Sequence, residues 1–295
     1  MKPLHIGKHI LDWGARTYLM GILNVTPDSF SGDGIMAGGD PVEVSATQAR
    51  RFVAAGCDIL DIGGESTRPG SQPVEVEEER RRVLPVIRAL VEEFPDTLIS
   101  IDTYKAAIAE EALKSGAHFV NDVWALRADP GLAVVAAKHK APVILMHNRS
   151  NPASVEVRER LGNAYVGPEY KNLLEDVKRE LMESVAIARA AGIPDEHIIL
   201  DPGIGFGKTV EHNLELIDRL DEIRALGFPV LFGPSRKSFI GYTLDLPPDQ
   251  RVEGTAAAVA VGIARGADIV RVHDVEQIAR VAKMTDALVR RDHGL

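Results

Sequence analysis

The feature that most constrains this chain is the repeated alternation of short apolar segments with longer amphipathic ones. The short segments are nearly continuous in Ile, Val and Leu, which is typical of strands buried on both faces of a parallel sheet. The longer segments place their apolar residues at helical spacing. Several of them end in a glycine shortly before the next strand, as in AGCDILDIG and RGADIVRVHD, and glycine at that point favours a left-handed helix cap.

This alternation predicts eight strand–helix units. The predicted strands are Leu19–Val25, Ile59–Gly63, Leu98–Asp102, Phe119–Asp122, Val143–His147, Ile198–Asp201, Val230–Gly233 and Ile269–His273. The predicted helices are Pro41–Ala55, Glu75–Glu93, Tyr104–Ser115, Gly131–Lys140, Glu169–Ala191, Glu211–Leu226, Gln250–Arg265 and Val275–Arg291. Because no linker separates the units, we predict an α/β fold with a single (β/α)8 TIM barrel domain over residues 1–295.

The alternative is an open, doubly wound sheet. That fold would usually need fewer strands and a glycine fingerprint after the first strand, which is missing here. Residues 4–12, LHIGKHILD, are predicted to form a short strand or hairpin that caps the barrel bottom. Residues 147–168 follow the fifth strand without clean periodicity. Long loops in compact domains are usually functional, but the role of this segment stays open at this point.

Composition narrows the possible partners. The formal net charge of −9 argues against binding to nucleic acid or to an anionic membrane surface. A single cysteine, Cys57, excludes an internal disulfide and a cysteine-rich metal site, and it favours a reducing, cytoplasmic location. We expect no signal peptide, because charged residues interrupt the first segment, and no membrane span, because apolar stretches reach only about ten residues.

Residues able to bind a polar ligand follow nearly every predicted strand. The active site of a (β/α)8 barrel is built at the carboxyl ends of its strands, so these side chains are expected to converge. In chain order they are Asn24, Asp61, Ser100, Asp102, Asn121, Asp122, Met146, His147, Asp201, the GPSRKS run at 233–238, Arg271 and His273. The convergence, rather than any one residue, indicates a functional site.

An acidic residue at a strand end can also serve only as the N-cap of the next helix. Capping is the favoured interpretation for Asp122 and Asp274 and stays an alternative for Asp102. It explains Asp201 poorly, because a proline and a glycine-rich loop follow that residue. Asp61 lies inside an apolar strand, where a carboxylate must be paired or bound to a ligand, and both alternatives remain open.

Two further patterns have more than one explanation. Arg271 and His273 alternate on one strand and would project together, as an anion clamp or as a satisfied core pair. GFGKT at 205–209 imitates the end of a P-loop, but the position of the first required glycine holds Pro202. No segment has the local signature of a nucleophilic triad, so covalent catalysis is not expected.

The candidate residues divide into two kinds of recognition. Carboxylates and an amide can accept or exchange hydrogen bonds with a flat heterocycle that carries N–H donors, and these are Asp102, Asn121 and Asp201. A second group suits a phosphate or diphosphate, and it comprises Asn24, Arg68, the SRKS run, Arg271 and His273. Mg²⁺ prefers oxygen ligands and leans on substrate phosphates, so the Asn24 amide oxygen could be its only protein ligand.

Seven motifs make the chain resemble one family. They are NVTPDSFS (24–31), GGESTRPG (63–70), SIDTYK (100–105), ND (121–122), DPGIGFGKT (201–209), GPSRKSFIG (233–241) and RVHDV (271–275). Together they resemble the dihydropteroate synthases and cover seven of the eight strand ends. That family condenses 6-hydroxymethyl-7,8-dihydropterin diphosphate with 4-aminobenzoate, which gives 7,8-dihydropteroate and pyrophosphate in folate biosynthesis.

The resemblance implies a role for each matching residue. Asp102, Asn121, Asp201 and Lys237 would hold the pterin, with Met146 packed against it. Asn24 would bind Mg²⁺, and Arg271 and His273 would bind the diphosphate. The 4-aminobenzoate side would be formed by Thr67, Arg68, Pro69, Phe206 and Ser238 once the first two loops close. The implied chemistry is ionisation of the C–O bond to a pterin-stabilised cation, followed by attack of the aromatic amine, with Asn24, Arg68, Lys237, Arg271 and His273 as the catalytic set.

One departure and three alternatives accompany the resemblance. Family members commonly read FSDGG where this chain reads FSGDG, which places the acid at Asp33. A pterin-binding methyltransferase is the nearest rival, although it has no need of the STRPG and SRKS elements. An inactive pterin-binding homologue is the second, and a bare barrel scaffold is the third. The resemblance further implies a homodimer through the C-terminal helices, with small molecules as the substrates.

Overall fold

The computed structural model describes residues 1–26, 40–66, 71–151 and 153–290. Four positions singled out from the sequence, Asp33, Thr67, Arg68 and Pro69, lie outside the described residues. In chain order the strands are β1 Leu4–Ile6, β2 His9–Leu11, β3 Tyr18–Asn24, β4 Ile59–Gly63, β5 Leu98–Asp102, β6 Phe119–Asp122, β7 Val143–Met146, β8 Val155–Glu156, β9 Ala164–Tyr165, β10 Ile198–Asp201, β11 Leu231–Phe232 and β12 Ile269–Val272.

The α-helices of the described residues follow the strands along the chain. They are α1 Pro41–Ala54, α2 Val76–Glu93, α3 Ala106–Lys114, α4 Gly131–His139, α5 Leu173–Ala190, α6 Val210–Asp218, α7 Leu220–Arg224, α8 Ser238–Leu244, α9 Val252–Ala264 and α10 Val275–Val289. None of these helices is both long enough and apolar enough to cross a membrane.

Eight parallel strands form the barrel. Their hydrogen-bonded order is β10, β7, β6, β5, β4, β3, β12 and β11. A parallel bridge between Leu200 in β10 and Val230, just before β11, joins the two edges. Beside it the Leu200 N–H donates to the Pro229 carbonyl at 2.9 Å. The predicted closed barrel is therefore confirmed, and in the described part of the chain this bridge is what pairs β10 with β11.

A separate apolar cluster fills the amino-terminal end of the barrel. Each barrel strand contributes side chains to it: Tyr18, Met20, Ile59, Leu98, Phe119, Ile144, Ile199, Leu231 and Ile269. The antiparallel hairpin β1–β2 adds Leu4 and Leu11, which are 0% and 3% exposed. Burial of these two side chains closes this end, as the sequence predicted, and leaves the carboxyl ends of the strands as the open face.

One predicted helix is wrong, and one observed helix was not predicted. The predicted helix Glu211–Leu226 is wrong as a single helix, because Arg219 leaves helical geometry (φ −113°, ψ 28°) and separates α6 from α7. Leu216, Ile217, Leu220 and Ile223 keep helical spacing across the break, which explains why the sequence indicates one helix. Helix α8 was not predicted, because its seven residues are too few to display an apolar period.

Candidate active site

The register of the strands brings the predicted residues to one edge of the barrel. Asn24 lies opposite Gly63, Gly63 opposite Asp102, and Asp102 opposite Asn121. Further round the barrel, Asp201 lies opposite Met146. Because the barrel strands are all parallel, these residues at the ends of neighbouring strands form a row at the carboxyl end, where barrel active sites are built.

Arg271 joins the two groups of residues that the sequence separated. Its Nε donates to Asp61 Oδ2 and its Nη2 donates to Asp102 Oδ2, each at 2.6 Å. The Asn121 amide also donates to Asp61 Oδ2, at 3.0 Å. Asp61 is fully buried, so its carboxylate is an internal partner of Arg271 and Asn121. Arg271, the cation expected beside a diphosphate, therefore lies against Asp102, an acid expected beside a heterocycle.

Asp102 is not the N-cap of the following helix. The Ala106 N–H, which opens α3, donates to the Asp129 carboxylate at 2.8 Å instead. The Asp102 carboxylate is left to face Arg271. The capping alternative for Asp102 is thus excluded by the hydrogen bond that its side chain makes.

Burial brings the titration of two site carboxyls close to neutral pH. It raises the pKa of Asp102 to about 7, while Arg271 opposes the shift and Asp61 adds to it. It raises the pKa of Asp201 to about 6, against the Gly203 N–H and the charge of Lys237. Burial acts in this direction because a low-dielectric interior disfavours the charged form. Both carboxyls can therefore change protonation state within the physiological range.

A flat apolar wall lies beside these acids. Met146, Val123, Tyr165 and Phe206 form a buried cluster of their own. The Tyr165 and Phe206 rings stack with centroids 6.3 Å apart and planes 27° from parallel. The Lys237 Nζ lies 3.9 Å from the centroid of the Phe206 ring, a cation–π distance. This wall suits a planar aromatic ligand.

The segment at 147–168, whose role the sequence left open, supplies part of that wall. It contains the short antiparallel hairpin β8–β9, in which Glu156 pairs with Ala164. Tyr165, the last residue of β9, is 7% exposed and stacks on Phe206. The hairpin therefore carries a residue of the candidate site, which the sequence did not indicate because a two-residue strand shows no period.

The GPSRKS and RVHDV motifs are joined by side-chain bonds. His273 Nδ1 lies 3.0 Å from Ser235 Oγ, and the His273 N–H donates to the same oxygen at 3.1 Å. Arg236 donates from Nε and Nη2 to the two Asp274 carboxylate oxygens at 3.0 and 2.6 Å. These bonds hold the loop that carries Lys237 against the end of β12.

The capping predictions for two acids need correction. Asp274 occupies the N-cap position of α10 but makes no side-chain cap bond, because its carboxylate is taken by Arg236. Asp122 caps a turn, accepting the Trp124 and Leu126 N–H groups at 2.8 and 2.6 Å. It does not cap α4, because the N-cap residue of that helix is Pro130, eight residues further along the chain.

Lys208, which sequence reasoning missed, organises the glycine-rich loop. It is 2% exposed, and its Nζ donates to the Gly203 and Phe206 carbonyls at 3.0 Å each. The same Nζ lies 2.9 Å from His147 Nδ1, and His147 Nε2 lies 3.1 Å from Glu180 Oε2. The signal was the GFGKT run, whose lysine turns inward to hold the loop between Asp201 and Phe206.

We expect Lys208→Met to loosen this loop. The two carbonyls would lose their donor, which predicts a loss of about 1–3 kcal/mol in the free energy of unfolding and a weaker affinity for any ligand on Asp201. Urea unfolding and calorimetric ligand titration measure the two effects. Lys178→Met is the matched control, because Lys178 bonds to Glu222 on the helical surface. Equal behaviour of the two variants would contradict the assignment.

A second missed cluster borders residues 67–70. Lys105 Nζ donates to Glu65 Oε2 and to the Val74 carbonyl, each at 2.6 Å, and also pairs with Glu79. The Tyr104 hydroxyl donates to Glu65 Oε1 at 3.2 Å. Glu65 and Lys105 stand within the GGESTRPG and SIDTYK motifs, so the sequence contained a signal for them. Their bonds connect both ends of the loop between β4 and α2, at Glu65 and Val74, to the segment that follows β5.

Comparisons with known proteins place this geometry in context. Residues 20–273 match the family model described as "Pterin binding enzyme". The chain is 49% identical to the dihydropteroate synthase of Clostridium beijerinckii, over 98% of this chain and 100% of that protein. It superposes with a TM-score of 0.85 on the Clostridium difficile dihydropteroate synthase solved in the presence of pteroic acid, at 48% identity over 95% and 99% of the two chains. The Xanthomonas albilineans enzyme with 4-aminobenzoic acid gives a TM-score of 0.86 at 39% identity, over 97% of each chain.

Proposed function

The chain belongs to the pterin binding enzymes as a dihydropteroate synthase, and we propose that the pocket at the carboxyl ends of its barrel strands is the site of that reaction. The enzyme is a transferase of folate biosynthesis that joins a dihydropterin diphosphate to 4-aminobenzoate. The observation that carries the placement is the convergence of Asp102, Asn121 and Asp201 beside a flat wall that Lys237 faces.

The pterin is proposed to lie between the acids and the wall. Asp201 and Asn121 offer hydrogen-bonding groups at the ends of β10 and β6, and Asp102 lies next to Asn121. An ionised carboxylate can accept two parallel N–H bonds from the edge of an aminopyrimidine. Met146 of the apolar wall would pack against the ring, and the Lys237 ammonium, which lies over the Phe206 ring, would also face it. These contacts would orient the pterin carbon that bears the diphosphate toward the loops that follow β3 and β4.

The diphosphate is proposed to bind near Arg271 and His273. A guanidinium has five N–H groups, and the two carboxylates take only the Nε and one Nη2 hydrogen. Arg271 can therefore still donate to phosphate oxygens. His273, whose Nδ1 lies 3.0 Å from Ser235 Oγ, is proposed to bind the diphosphate beside Arg271. The charges of Arg271 and Lys237 would stabilise the negative charge that develops on the departing diphosphate.

Mg²⁺ is proposed at Asn24, the last residue of β3. No cluster of three His, Cys, Asp or Glu side chains able to hold a metal occurs in the described residues. Asn24 is half-buried, and one amide oxygen beside a bound diphosphate nevertheless fits Mg²⁺, which keeps several waters and binds substrate phosphates. When bound, the ion would supply charge neutralisation to the leaving diphosphate.

The proposed mechanism needs no covalent intermediate on the protein. The C–O bond of the substrate breaks, and its electron pair leaves with the diphosphate. The lone pair of the 4-aminobenzoate nitrogen then forms the C–N bond, and the nitrogen loses a proton. Phe206 and Ser238 are proposed to border the amine substrate, together with Thr67, Arg68 and Pro69 outside the described residues. The catalytic set predicted from the sequence remains Asn24, Arg68, Lys237, Arg271 and His273.

The experiment that tests this site is pyrophosphate release from dihydropterin diphosphate and Mg²⁺, with and without 4-aminobenzoate. We expect release coupled to dihydropteroate formation when the amine is present. Asn24→Ala should raise the Mg²⁺ concentration that gives half-maximal rate and leave binding of a diphosphate-free dihydropterin unchanged. An Asn24→Ala enzyme with the wild-type Mg²⁺ dependence would contradict the metal assignment.

Pterin affinity is expected to fall as the pH drops from about 8 to about 5. The ligand's N–H groups need ionised acceptors, and burial raises the pKa of Asp102 to about 7 and of Asp201 to about 6. Below these values each protonated carboxyl weakens binding by up to about tenfold per pH unit. Calorimetric titration with a diphosphate-free dihydropterin measures the slope, which Asp201→Asn should reduce. An affinity that does not change with pH would refute this assignment.

Two sequence predictions on assembly and location remain proposals. A homodimer through the C-terminal helices is supported by exposed apolar side chains on α9 and α10, namely Val261, Met284, Leu288 and Val289. Sedimentation of the purified protein measures that state directly. A cytoplasmic location rests on the single cysteine alone. Burial raises the pKa of the Cys57 thiol to about 12, which disfavours the reactive thiolate. The proposed mechanism does not use this thiol.

A further inference from the structure

Lys237 follows a residue with unusual backbone geometry. Arg236 has φ of +55°, in the left-handed region that residues other than glycine rarely adopt. Such a conformation persists only where the surroundings over-determine it, and it is often associated with a functional position. The strained residue directly precedes the lysine whose ammonium lies over the Phe206 ring. The contacts that hold the Arg236 backbone therefore also fix the position of the Lys237 Cα, from which the side chain extends.

Contacts from three directions hold Arg236. Its N–H donates to the hydroxyl of Thr255, a fully buried residue of α9, at 3.1 Å. Its guanidinium bonds to both Asp274 carboxylate oxygens. Its carbonyl accepts from Arg251 Nη1 at 2.9 Å. The third contact comes from a residue that no motif or comparison singles out.

Arg251 is a buried cation that binds main-chain carbonyls. It is 1% exposed, and Nη1 also donates to the Lys237 carbonyl at 3.3 Å. Nε and Nη2 donate to the Leu246 carbonyl at 2.9 and 2.7 Å. The guanidinium thus bridges the residues just before α8 to the turn just after it. A planar fork of donors fits this task, which an ammonium or an apolar side chain of similar length cannot reproduce.

The helix between these two points leaves space for the guanidinium. A Cβ on Gly241, in the middle of α8, would lie 2.0 Å from Arg251 Nη2 and 2.3 Å from Cζ. Any side chain at this position would push the guanidinium away from the carbonyls. Because the obstructed atoms belong to the end of a flexible side chain, α8 can keep its backbone while the arginine moves.

We propose that Arg251 is a positioning residue for the synthase reaction, which acts by fixing the backbone of Arg236 and Lys237 and so aiming the Lys237 ammonium across the pterin site. The inference rests on the role proposed above for Lys237. Arg251 itself touches no substrate. Its contribution is the placement of a charge, and small misplacements of a reacting or stabilising group are costly in rate.

Two variants displace the guanidinium by different means. Arg251→Lys replaces the guanidinium with an ammonium. Gly241→Ala keeps Arg251 but places a methyl group where its guanidinium lies. We expect both to lower kcat/KM for the dihydropterin diphosphate by about 30- to 100-fold, with the larger part in kcat. Arg290→Lys is the matched control, because Arg290 donates to the Gly14 and Ala267 carbonyls at the opposite end of the barrel. It should leave kcat/KM unchanged.

A double-mutant cycle with Lys237→Met separates positioning from simple support of the fold. If Arg251 acts through Lys237, either variant has little further effect on kcat/KM once Lys237 is methionine. Multiplicative losses in that background would overturn the inference, as would wild-type activity of both single variants. The proposed site has its own readout, because an unimpaired Lys237→Met enzyme would refute the role of Lys237. Running the cycle with Gly241→Ala as well keeps the test independent of how well Arg251→Lys folds.

Discussion

Replacing Arg271 with methionine is expected to lower the free energy of unfolding at pH 8 by about 3–5 kcal/mol and to abolish dihydropteroate formation. The guanidinium is the cation that meets Asp61 and Asp102, and Asp61 is fully buried. Removing it leaves two neighbouring carboxylates in a low-dielectric space without a positive partner. Breaking a buried pair from one side is costly for this reason, whatever the pair contributes in net stability.

The stability loss should depend on pH in a defined direction. Burial already raises the folded pKa of Asp102 to about 7 with Arg271 present, and Arg271 opposes that shift. Without Arg271 the folded pKa rises further above its unfolded value, so the folded state of the variant holds its proton to higher pH. Stability of the variant then falls more steeply as the pH rises, and the difference from wild type is larger at pH 8 than at about pH 5. Urea unfolding at several pH values measures this difference.

Compensating substitutions separate the two effects of Arg271. Adding Asp61→Asn and Asp102→Asn to the variant removes the buried charges and should restore most of the stability without restoring activity. Arg16→Met is the matched control, since Arg16 pairs with Asp58 while its side chain is 51% exposed. That variant should lose much less stability. A stable, inactive Arg271→Met enzyme at pH 8 would show that the two carboxylates do not depend on the guanidinium.

Gly203→Ala is expected to have a comparably large effect. Gly203 has φ of +70°, where an L-residue costs about 1–2 kcal/mol. A Cβ there would also lie 1.8 Å from the His147 carbonyl oxygen, and forcing that backbone apart adds about 1–3 kcal/mol. The loop it belongs to carries two site residues, because the Gly203 N–H donates to Asp201 and its carbonyl accepts from the Phe206 N–H. Pterin affinity should therefore fall with stability.

A second glycine isolates the steric part of that effect. Gly227 has φ of +91°, yet a Cβ there would meet no atom within 4 Å. Gly227→Ala should show the cost of the left-handed backbone alone, with unchanged pterin affinity. Chemical denaturation and ligand titration of the two variants give the comparison. If both lose the same stability, the close approach of Gly203 to the fifth barrel strand does not constrain the loop.

Much of the fold could be predicted because the barrel strands are buried on both faces. Ile59–Gly63, Leu98–Asp102, Phe119–Asp122 and Ile198–Asp201 are predicted and observed with the same bounds. In these segments burial on both faces requires an apolar residue at nearly every position, so the apolar run has the same bounds as the strand. The two-residue strands β8 and β9 and the seven-residue helix α8 are too short to show the period of their own type, and they depend on tertiary contacts.

The site divides in the same way. The convergence of Asp102, Asn121 and Asp201 could be predicted because each lies at or next to the end of a predictable strand, and the ends of parallel strands meet at one edge. Lys208 and Arg251 could not be assigned, because their partners are main-chain carbonyls whose positions exist only after folding. The roles of Thr67, Arg68 and Pro69 stay predictions, as does the effect of Asp33.

The seam between β10 and β11 lies between two residues that are proposed to bind the pterin. Asp201 ends β10, whereas Lys237 follows β11, and the described strands on the two sides pair through the Leu200–Val230 bridge. A pterin bound by both Asp201 and Lys237 would link the two sides of this seam, which has few backbone hydrogen bonds of its own. Amide hydrogens flanking the seam should then exchange with solvent more slowly in the complex than in the free enzyme, so that substrate binding completes the wall of the barrel that encloses it.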